Sequence, residues 1–170
     1  TFLVEAPIAV FREFHRHRIG WSYNEESGRY RELQPVFYIP NENRALVQEG
    51  KPGAYTFVAG TTEQFDRVHD SLRRLYIRAY DEYRRMLNAG IAKEVARLCL
   101  PVGLYSSMYA TCNPRSLMAF LSLRTKRGDS RFPSFPMREI EMVAEGIEEH
   151  FATLFPLTYD VFCTNGRVSP

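Results

Sequence analysis

The sequence predicts an α+β protein: a single, helix-rich domain over residues 1–170 with a small central antiparallel sheet. Three observations favour this fold class. Apolar residues recur at helical spacing in the long segments, and short runs typical of strands lie between them. A length of 170 residues corresponds to about one domain, and neither an interdomain linker nor an internal repeat is visible.

The first third of the chain is predicted to alternate short strands with one helix. Residues 1–6 form a strand, and Pro7 then opens a helix over residues 7–18. The polar segment 20–28 is predicted to be a loop. A second strand covers residues 36–39, and the stretch 41–61, which contains Asn, Gly and Pro, is a long connection.

The middle of the chain is predicted to contain one long helix. Thr61 with Gln64 three residues later is a capping box, and an apolar stripe continues the helix to about Ala89. A short helix follows over residues 91–100, and residues 104–112 form another strand.

Two further helices complete the prediction. Asn113 as cap and Pro114 in the first helical position are a strong helix start, and this helix ends near Arg124. Residues 125–135 form a loop, and Pro136 opens the next helix, which is followed by a short helix or loop.

Composition excludes several classes of protein. Hydrophobic residues make up 45% of the chain and charged residues 25%, which is typical of a globular protein. No apolar run approaches the ~20 residues of a membrane helix. Cys99, Cys112 and Cys163 lie far apart, which argues against a disulfide framework and a metal site and favours a reducing cytoplasm. The first residue is Thr1, so we expect an N-terminal part upstream of the chain.

The segment 12–31 is the densest in chemistry-bearing side chains. It contains five arginines, two histidines and the only tryptophan of the chain. On the predicted helix, Arg12 and Arg16 share one face, and Glu13 and His17 share another. Cations and small hydrogen-bond donors that converge on a loop indicate a phosphate site. A solvated, salt-bridged helix end is the alternative interpretation. Nucleic-acid binding is a weaker one, because the net charge is only +2.

Arg124 and Arg97 are the second candidates. Arg124 ends an apolar stripe that contains Leu117, Phe120 and Leu121. A cation in this position either extends to water or meets a buried anion or polar ligand. Arg97 repeats the pattern between apolar neighbours.

Several segments together resemble the flavin-dependent thymidylate synthases. Arg16-His17-Arg18, then eight residues, then Ser27 match the signature of that family. The likeness continues in the block 94–101 (EVARLCLP), in Leu104-Tyr105 and in the block 113–124 (NPRSLMAFLSLR). It covers most of residues 1–124 and, more weakly, the helix after residue 136.

The resemblance implies the family's fold and its reaction. Family members make dTMP from dUMP by reductive methylation. Methylenetetrahydrofolate supplies the carbon, and NADPH reduces the bound FAD, which then supplies hydride. They are homotetramers with active sites built from several subunits, so the resemblance implies dUMP, folate and further copies of the chain as partners, and no nucleic acid or membrane.

The resemblance also implies roles for individual residues. Arg124 is the catalytic residue, which grips the uracil ring and stabilises its anionic form. The implied flavin-binding residues are Arg16, His17, Arg18, Glu25, Asn113, Pro114, Arg115 and Ala119. The implied nucleotide-binding residues are Glu13, Phe14, His15, Arg16, Glu25, Glu26, Ser27, Gly28, Arg29, Arg97 and Arg124, with Arg97 coming from another subunit.

One alternative function stays open. The family has an N-terminal part with a flavin-contacting histidine that nothing in this sequence matches, and a polar residue is often found where Ala119 lies. The alternative is therefore a flavin- or nucleotide-binding fragment or remnant of the family that does not turn over.

Overall fold

The computed structural model describes residues 1–51 and 54–170. In chain order its elements are β1 (Phe2–Pro7), α1 (Ile8–Phe14), β2 (Trp21–Glu25), β3 (Val47–Lys51), β4 (Ala54–Val58), α2 (Thr62–Asn88), α3 (Lys93–Ala96), a 3₁₀ turn (Arg97–Cys99), β5 (Tyr105–Cys112), α4 (Pro114–Arg124), α5 (Arg138–Leu154) and α6 (Pro156–Thr164). The predicted α+β class is confirmed.

Two small sheets account for the strands in the described residues. One has three strands in the order β1-β5-β2. The other is the antiparallel pair β3–β4, in which Val47 lies opposite Val58 and Gly50 lies opposite Tyr55. Along the described part of the chain, no helix combines the length and apolarity that crossing a bilayer requires.

The helix-start signals identify α2 and α4 correctly. The Thr61 hydroxyl accepts a hydrogen bond from the Gln64 amide at 3.2 Å, and the Gln64 side chain accepts one from the Thr61 amide at 2.9 Å. The Asn113 side chain likewise accepts from the Ser116 amide at 2.9 Å, with Pro114 in the first turn. Both helices therefore begin where their caps predict, because the cap satisfies amides that have no partner within the helix.

Helix α1 is shorter than predicted. It ends at Phe14. The His15 amide still bonds to the Phe11 carbonyl at 2.9 Å, but the two following amides bond to carbonyls three residues back: Arg16 to Glu13 at 3.4 Å and His17 to Phe14 at 2.8 Å. Residues 15–18 therefore lie outside the helix, and both predicted shared helical faces, that of Arg12 with Arg16 and that of Glu13 with His17, are wrong. The tighter hydrogen-bond pattern is typical of a helix end.

Four other boundaries also differ from the prediction. The segment 20–28 contains the strand β2, where Trp21 and Tyr23 alternate as strand-forming residues. Residues 36–39 form only an isolated bridge, Phe37 to Leu104, beside two prolines that cannot donate to a ladder. The connection 41–61 contains β3 and β4, and α5 begins at Arg138, two residues after Pro136.

By its internal contacts the chain divides into two compact units. Unit 1 consists of residues 1–4, 10–24 and 108–170, and unit 2 of residues 5–9 and 25–107. In unit 1 the fully buried side chains include Phe11, Phe14, Phe120, Phe151 and Phe162. In unit 2 they include Tyr83 and Leu104. The prediction of one domain over residues 1–170 stays a prediction.

Candidate functional site

Arg124 lies at the centre of a compact polar cluster in unit 1. The last turn of α4 carries it, and only 14% of its side chain is exposed. Its Nη1 donates to Glu13 Oε2 at 2.6 Å, its Nε donates to His17 Nε2 at 3.0 Å, and its Nη2 lies 3.4 Å from the Glu13 carbonyl oxygen. The guanidinium is therefore held in one orientation by two side chains.

His17 is the neutral member of this cluster. Burial and then the positive charge of Arg124 lower its pKa from 6.5 to about 4. The ring is therefore uncharged at neutral pH. Because Nε2 accepts the hydrogen bond from Arg124, the ring proton lies on Nδ1.

An aromatic group supports the cluster. Phe14 stacks on Phe120 with ring centroids 4.8 Å apart, and Trp21 stacks on Tyr23 at 5.7 Å. The Tyr23 hydroxyl lies 2.8 Å from the carbonyl oxygens of both Phe14 and His17. Burial raises the pKa of this hydroxyl, so it stays protonated and holds the turn that follows α1. That turn points His17 toward Arg124.

A cavity of about 760 Å³ lies in unit 1. Its volume is within the range of small-molecule sites. The residues that line it are Arg16, His17, Arg18, Ile19, Trp21, Asn113, Arg115, Ser116, Ala119, Ser169 and Pro170. Three of these described lining residues are arginines and none is acidic, so the cavity carries a positive field. Its wall also includes the ring of Trp21.

Gly20 closes the loop against the start of α4. Its φ is +68°, a conformation that residues with a side chain rarely adopt. A Cβ at this position would lie 2.3 Å from Ser116 Oγ and 2.6 Å from Asn113 Nδ2. The two walls of the cavity therefore approach each other as closely as they do because residue 20 is glycine.

The predicted nucleotide-binding residues 25–29 lie in unit 2. Arg29 Nε pairs with Glu94 Oε2 at 3.0 Å, with about half of each side chain exposed. The Ser27 hydroxyl accepts a hydrogen bond from the Arg29 amide at 3.3 Å, and the Glu26 amide bonds to the Ser107 carbonyl at 2.8 Å. Glu25 and Arg29 are exposed in this segment, whereas Glu26 and Ser27 are partly buried and Gly28 is buried.

Gly28 and Arg97 are neighbours within unit 2. A Cβ at Gly28 would lie 3.4 Å from Arg97 Cδ and 2.8 Å from Leu33 Cδ1. Arg97 opens the 3₁₀ turn that follows α3. The structure thus brings together two residues that the sequence places almost 70 positions apart.

Other predicted site residues have different surroundings. Phe14 is 0% exposed, so its side chain belongs to the core. The His15 ring packs edge-on against Tyr23 at 5.0 Å. Pro114 occupies the first turn of α4, and Glu25 ends β2.

Sequence reasoning assigned no role to several cavity residues. In the sequence, Trp21 stands out only as the single tryptophan, although its place next to the Arg-His-Arg run is a usable signal. Ser116 lies three residues after the Asn113 cap, a position that helix-cap patterns also identify. Ser169 and Pro170 reach the cavity from the end of the chain, and no local pattern could have indicated this.

Comparisons with known proteins agree on one family. A family model described as "Thymidylate synthase complementing protein" matches residues 1–157. A flavin-dependent thymidylate synthase of Streptomyces avermitilis is 63% identical over 170 residues, which cover 100% of this chain and 69% of that protein. One of Tropheryma whipplei is 58% identical over 170 residues, or 70% of its length.

A crystal structure shows the same fold. It is that of PolB, a UMP/dUMP methylase from Streptomyces cacaoi bound with 5-Br UMP. It superposes with a TM-score of 0.95 at 55% identity, over 99% of this chain and 75% of that one. The fold that the resemblance implied is confirmed.

Proposed function

Because the chain belongs to the flavin-dependent thymidylate synthases, which are methyltransferases, we propose that it catalyses the reductive methylation of dUMP to dTMP. Methylenetetrahydrofolate is the proposed carbon donor, and NADPH is the proposed source of reducing equivalents through FAD. One observation carries the assignment to this chain: Arg124 is held by Glu13 and His17 and is only 14% exposed.

Arg124 is the proposed ring-activating residue. The uracil carbon that receives the methyl group is a poor nucleophile until negative charge on the ring is stabilised. A fixed guanidinium supplies that stabilisation without a proton transfer, and fixed donors cost little reorganisation during the reaction. Glu13 and His17 leave part of the N–H fork of Arg124 unused, and these N–H groups can meet a ring oxygen.

His17 serves this role because it is uncharged. A protonated imidazole at the same place would repel Arg124 and could not accept from its Nε. With its pKa lowered to about 4, the ring stays an acceptor across the neutral range. His17 thus orients Arg124 rather than exchanging a proton with it.

The cationic cavity fits a flavin dinucleotide. Arg16, Arg18 and Arg115 suit the anionic diphosphate, since guanidinium groups bind phosphate through paired hydrogen bonds. Trp21 offers a flat face to a planar ring. The proposed FAD-binding set is Arg16, His17, Arg18, Glu25, Asn113, Pro114, Arg115 and Ala119. When bound, the flavin supplies the hydride that reduces the transferred carbon.

The turn that contains Ser27 and Arg29 is the proposed phosphate end of the nucleotide site. Its proposed donors are Ser27 and Arg29, with Glu25, Glu26 and Gly28 beside them. Arg97 is the proposed contribution of another subunit. Glu13, His15 and Arg16 are further proposed nucleotide contacts, while we assign the buried Phe14 to support. An incoming phosphate can replace Glu94 as the partner of Arg29, because that ion pair is exposed and therefore weak.

Tritium release from 5-tritiated dUMP tests the function directly. The chain is assayed with FAD, NADPH and methylenetetrahydrofolate, and with each component left out in turn. We expect release that depends on all of them and that Arg124→Ala abolishes, while that variant keeps its fold and some bound flavin. Normal turnover by Arg124→Ala would overturn the ring-activating role.

The alternative is a binding remnant that does not turn over. It predicts that the chain retains FAD with a shifted visible spectrum, and that dUMP perturbs this spectrum, without any tritium release. Release above the level of the no-enzyme control excludes it.

UMP is a second candidate substrate. One observation favours it: PolB, 55% identical to this chain, is a UMP/dUMP methylase. The same assay with 5-tritiated UMP decides between them. Release from dUMP alone supports the thymidylate synthase assignment, and comparable release from both indicates a dual methylase.

A homotetramer in the cytoplasm is the proposed working form. Helix α2 spans 27 residues, or about 40 Å, and exposes Leu75 and Ile77 by more than half. Three free cysteines suit a reducing compartment. Light scattering coupled to gel filtration tests the oligomeric state.

A further inference from the structure

Arg167 is a buried cation outside the site just described. Only 2% of its side chain is exposed. Among the non-glycine residues that the structure describes, it alone has a positive φ, 59°, and it follows Gly166 at +68°. A bulky residue in this conformation is strained unless its surroundings hold it there. The contacts of the Arg167 side chain hold it in this conformation.

The Arg167 guanidinium joins two elements. Nη1 pairs with Glu148 Oε1 of α5 at 2.6 Å, and Nη2 donates to Thr125 Oγ1 at 2.8 Å. The guanidinium also lies over the Phe162 ring, 4.9 Å from its centroid. Glu148 is 5% exposed, so Arg167 is one partner of a buried carboxylate.

Thr125 is the residue directly after Arg124. It is 0% exposed, and its amide and its hydroxyl both bond to the Leu121 carbonyl oxygen, at 3.1 and 2.7 Å. Its own carbonyl accepts from the Ser134 hydroxyl at 2.6 Å. The contact from Arg167 therefore reaches the end of α4 at the residue that anchors the backbone of Arg124.

Residues 166–170, here called the tail, run along α4 toward its first residue. The Ser122 hydroxyl lies 2.5 Å from the Arg167 carbonyl oxygen. The Ser169 hydroxyl bonds to the Arg115 carbonyl oxygen at 3.0 Å, and Arg115 Nε donates to the Pro170 carbonyl oxygen at 2.6 Å. The lengths agree: residues 115 to 122 rise about 10 Å along a helix, and residues 167 to 170 span about 10 Å when extended.

We propose that Arg167 is a positioning residue for Arg124, and that the tail fixes α4 along its length so that the Arg124 guanidinium meets the substrate ring. The inference rests on the proposed function, because it takes Arg124 to be the ring-activating group. A positioning role and a purely stabilising role predict different results. If Arg167 positions Arg124, loss of the Thr125 contact lowers the rate of the chemical step more than it lowers the affinity for flavin.

Thr125→Val is the decisive variant. Valine has nearly the same shape but cannot accept from Arg167, whereas Thr125→Ser keeps the hydroxyl. Because a misplacement of about 1 Å can slow a reaction about a hundredfold, we expect kcat to fall at least tenfold in Thr125→Val. Thr125→Ser restores it to within about threefold, and the Kd for FAD changes less than threefold in both.

Two lysine variants form a matched pair. Arg127 pairs with the same carboxylate as Arg167, with Nη2 2.8 Å from Glu148 Oε2, but reaches Glu145 instead of Thr125. Arg167→Lys is expected to lower kcat at least tenfold, and Arg127→Lys to leave it within about threefold. If Arg167→Lys does not fold, the Thr125 variants alone decide the question.

Wild type and Arg124→Ala are measured in the same series. Failure of wild type to release tritium, or normal release by Arg124→Ala, overturns the proposed function itself. With those two behaving as proposed, wild-type kcat in Thr125→Val overturns the positioning role of Arg167. Equal losses in Thr125→Val and Thr125→Ser, or in both lysine variants, also overturn it, since they indicate general destabilisation.

Discussion

Two arginines of this chain have the same kind of partner and very different surroundings. Arg124 pairs with Glu13 at 2.6 Å, with 14% and 34% of the two side chains exposed. Arg29 pairs with Glu94 at 3.0 Å, with 53% of each exposed. Arg124 also bonds to a neutral histidine, and its helix carries an aromatic support. Arg29 lies on a surface turn.

The difference indicates two ways of using a guanidinium. An exposed ion pair contributes little to stability and is easily exchanged, so Arg29 can take a phosphate when one arrives. A half-buried pair resists change, because removing one partner leaves a charge without compensation. Arg124 is therefore preorganised, which suits a group that must stabilise charge during the reaction.

Removal of Glu13 is expected to have the largest effect, because it takes away the carboxylate that orients Arg124. In Glu13→Ala the Arg124 fork loses the carboxylate and keeps its bond to His17 and the 3.4 Å contact with the backbone carbonyl oxygen of residue 13. We expect tritium release to slow about a hundredfold, since the guanidinium loses its orientation. Glu13→Gln keeps an acceptor and is expected to lose less. Glu94→Ala is the control on the exposed pair, and an equal loss there would remove the distinction between the two arginines.

Gly20→Ala tests the packing that encloses the cavity. A Cβ at this position meets Ser116 Oγ and Asn113 Nδ2, so the cap of α4 must shift. We expect the free energy of unfolding to fall by about 2–3 kcal/mol, from the left-handed conformation and the disturbed cap together. Urea unfolding measures it.

Gly90→Ala is the matched control for Gly20. Its φ is +79°, and a Cβ there has nothing within 4 Å. This variant should therefore lose only the conformational part, about 1 kcal/mol. Equal losses at Gly20 and Gly90 would show that the contact with α4 has no energetic weight.

The pH dependence of stability tests whether His17 is uncharged in the folded chain. Its pKa is about 4 in the folded chain against 6.5 as the ordinary value, so between these values the unfolded chain binds more protons. The free energy of unfolding therefore rises from pH 4 to pH 6.5. Because part of the ring is in water, we expect His17 to contribute about 1 kcal/mol of this rise.

His17→Gln removes that contribution and keeps an acceptor for Arg124. Urea unfolding at several pH values between 4 and 7 compares it with wild type. If His17→Gln keeps the wild-type slope, the ring takes up a proton as easily in the folded chain as in the unfolded one.

The sequence predicted those elements whose ends are set by interactions between residues close in the chain. The caps at Thr61 and Asn113 satisfy amides within one turn, so the residues alone reveal them. The end of α1 was not predictable in this way. It depends on the Tyr23 hydroxyl, which bonds to the Phe14 carbonyl from a strand that the polar composition of its segment concealed.

The candidate site also has parts that the sequence predicts and parts that it does not. The Arg-His-Arg run and the helix that carries Arg124 were visible as motifs, and the structure brings His17 and Arg124 to 3.0 Å. The contribution of the tail was invisible, because Arg167 reaches Thr125 over 42 residues. Such long-range pairs depend on the packing of whole helices, and no periodicity in the sequence specifies them.

Glu94→Gln carries the smallest expected effect and isolates the exposed pair. Its effect on the free energy of unfolding should be within about 0.5 kcal/mol, because both side chains are about half exposed. The affinity for dUMP should rise about twofold to threefold at low salt, since a carboxylate that repels the incoming phosphate is removed. At 1 M salt, where the Debye length is about 3 Å, the gain should disappear.

Glu82→Gln is the control for that experiment. Glu82 also forms an exposed ion pair, with Arg85 at 2.9 Å, but its partner is not a proposed ligand of the nucleotide. It should leave the affinity for dUMP unchanged at every salt concentration. Weaker binding in Glu94→Gln would instead mean that Glu94 orients Arg29 for the phosphate. In that case the exposed pair is preorganised as well, and the contrast with Arg124 is one of degree.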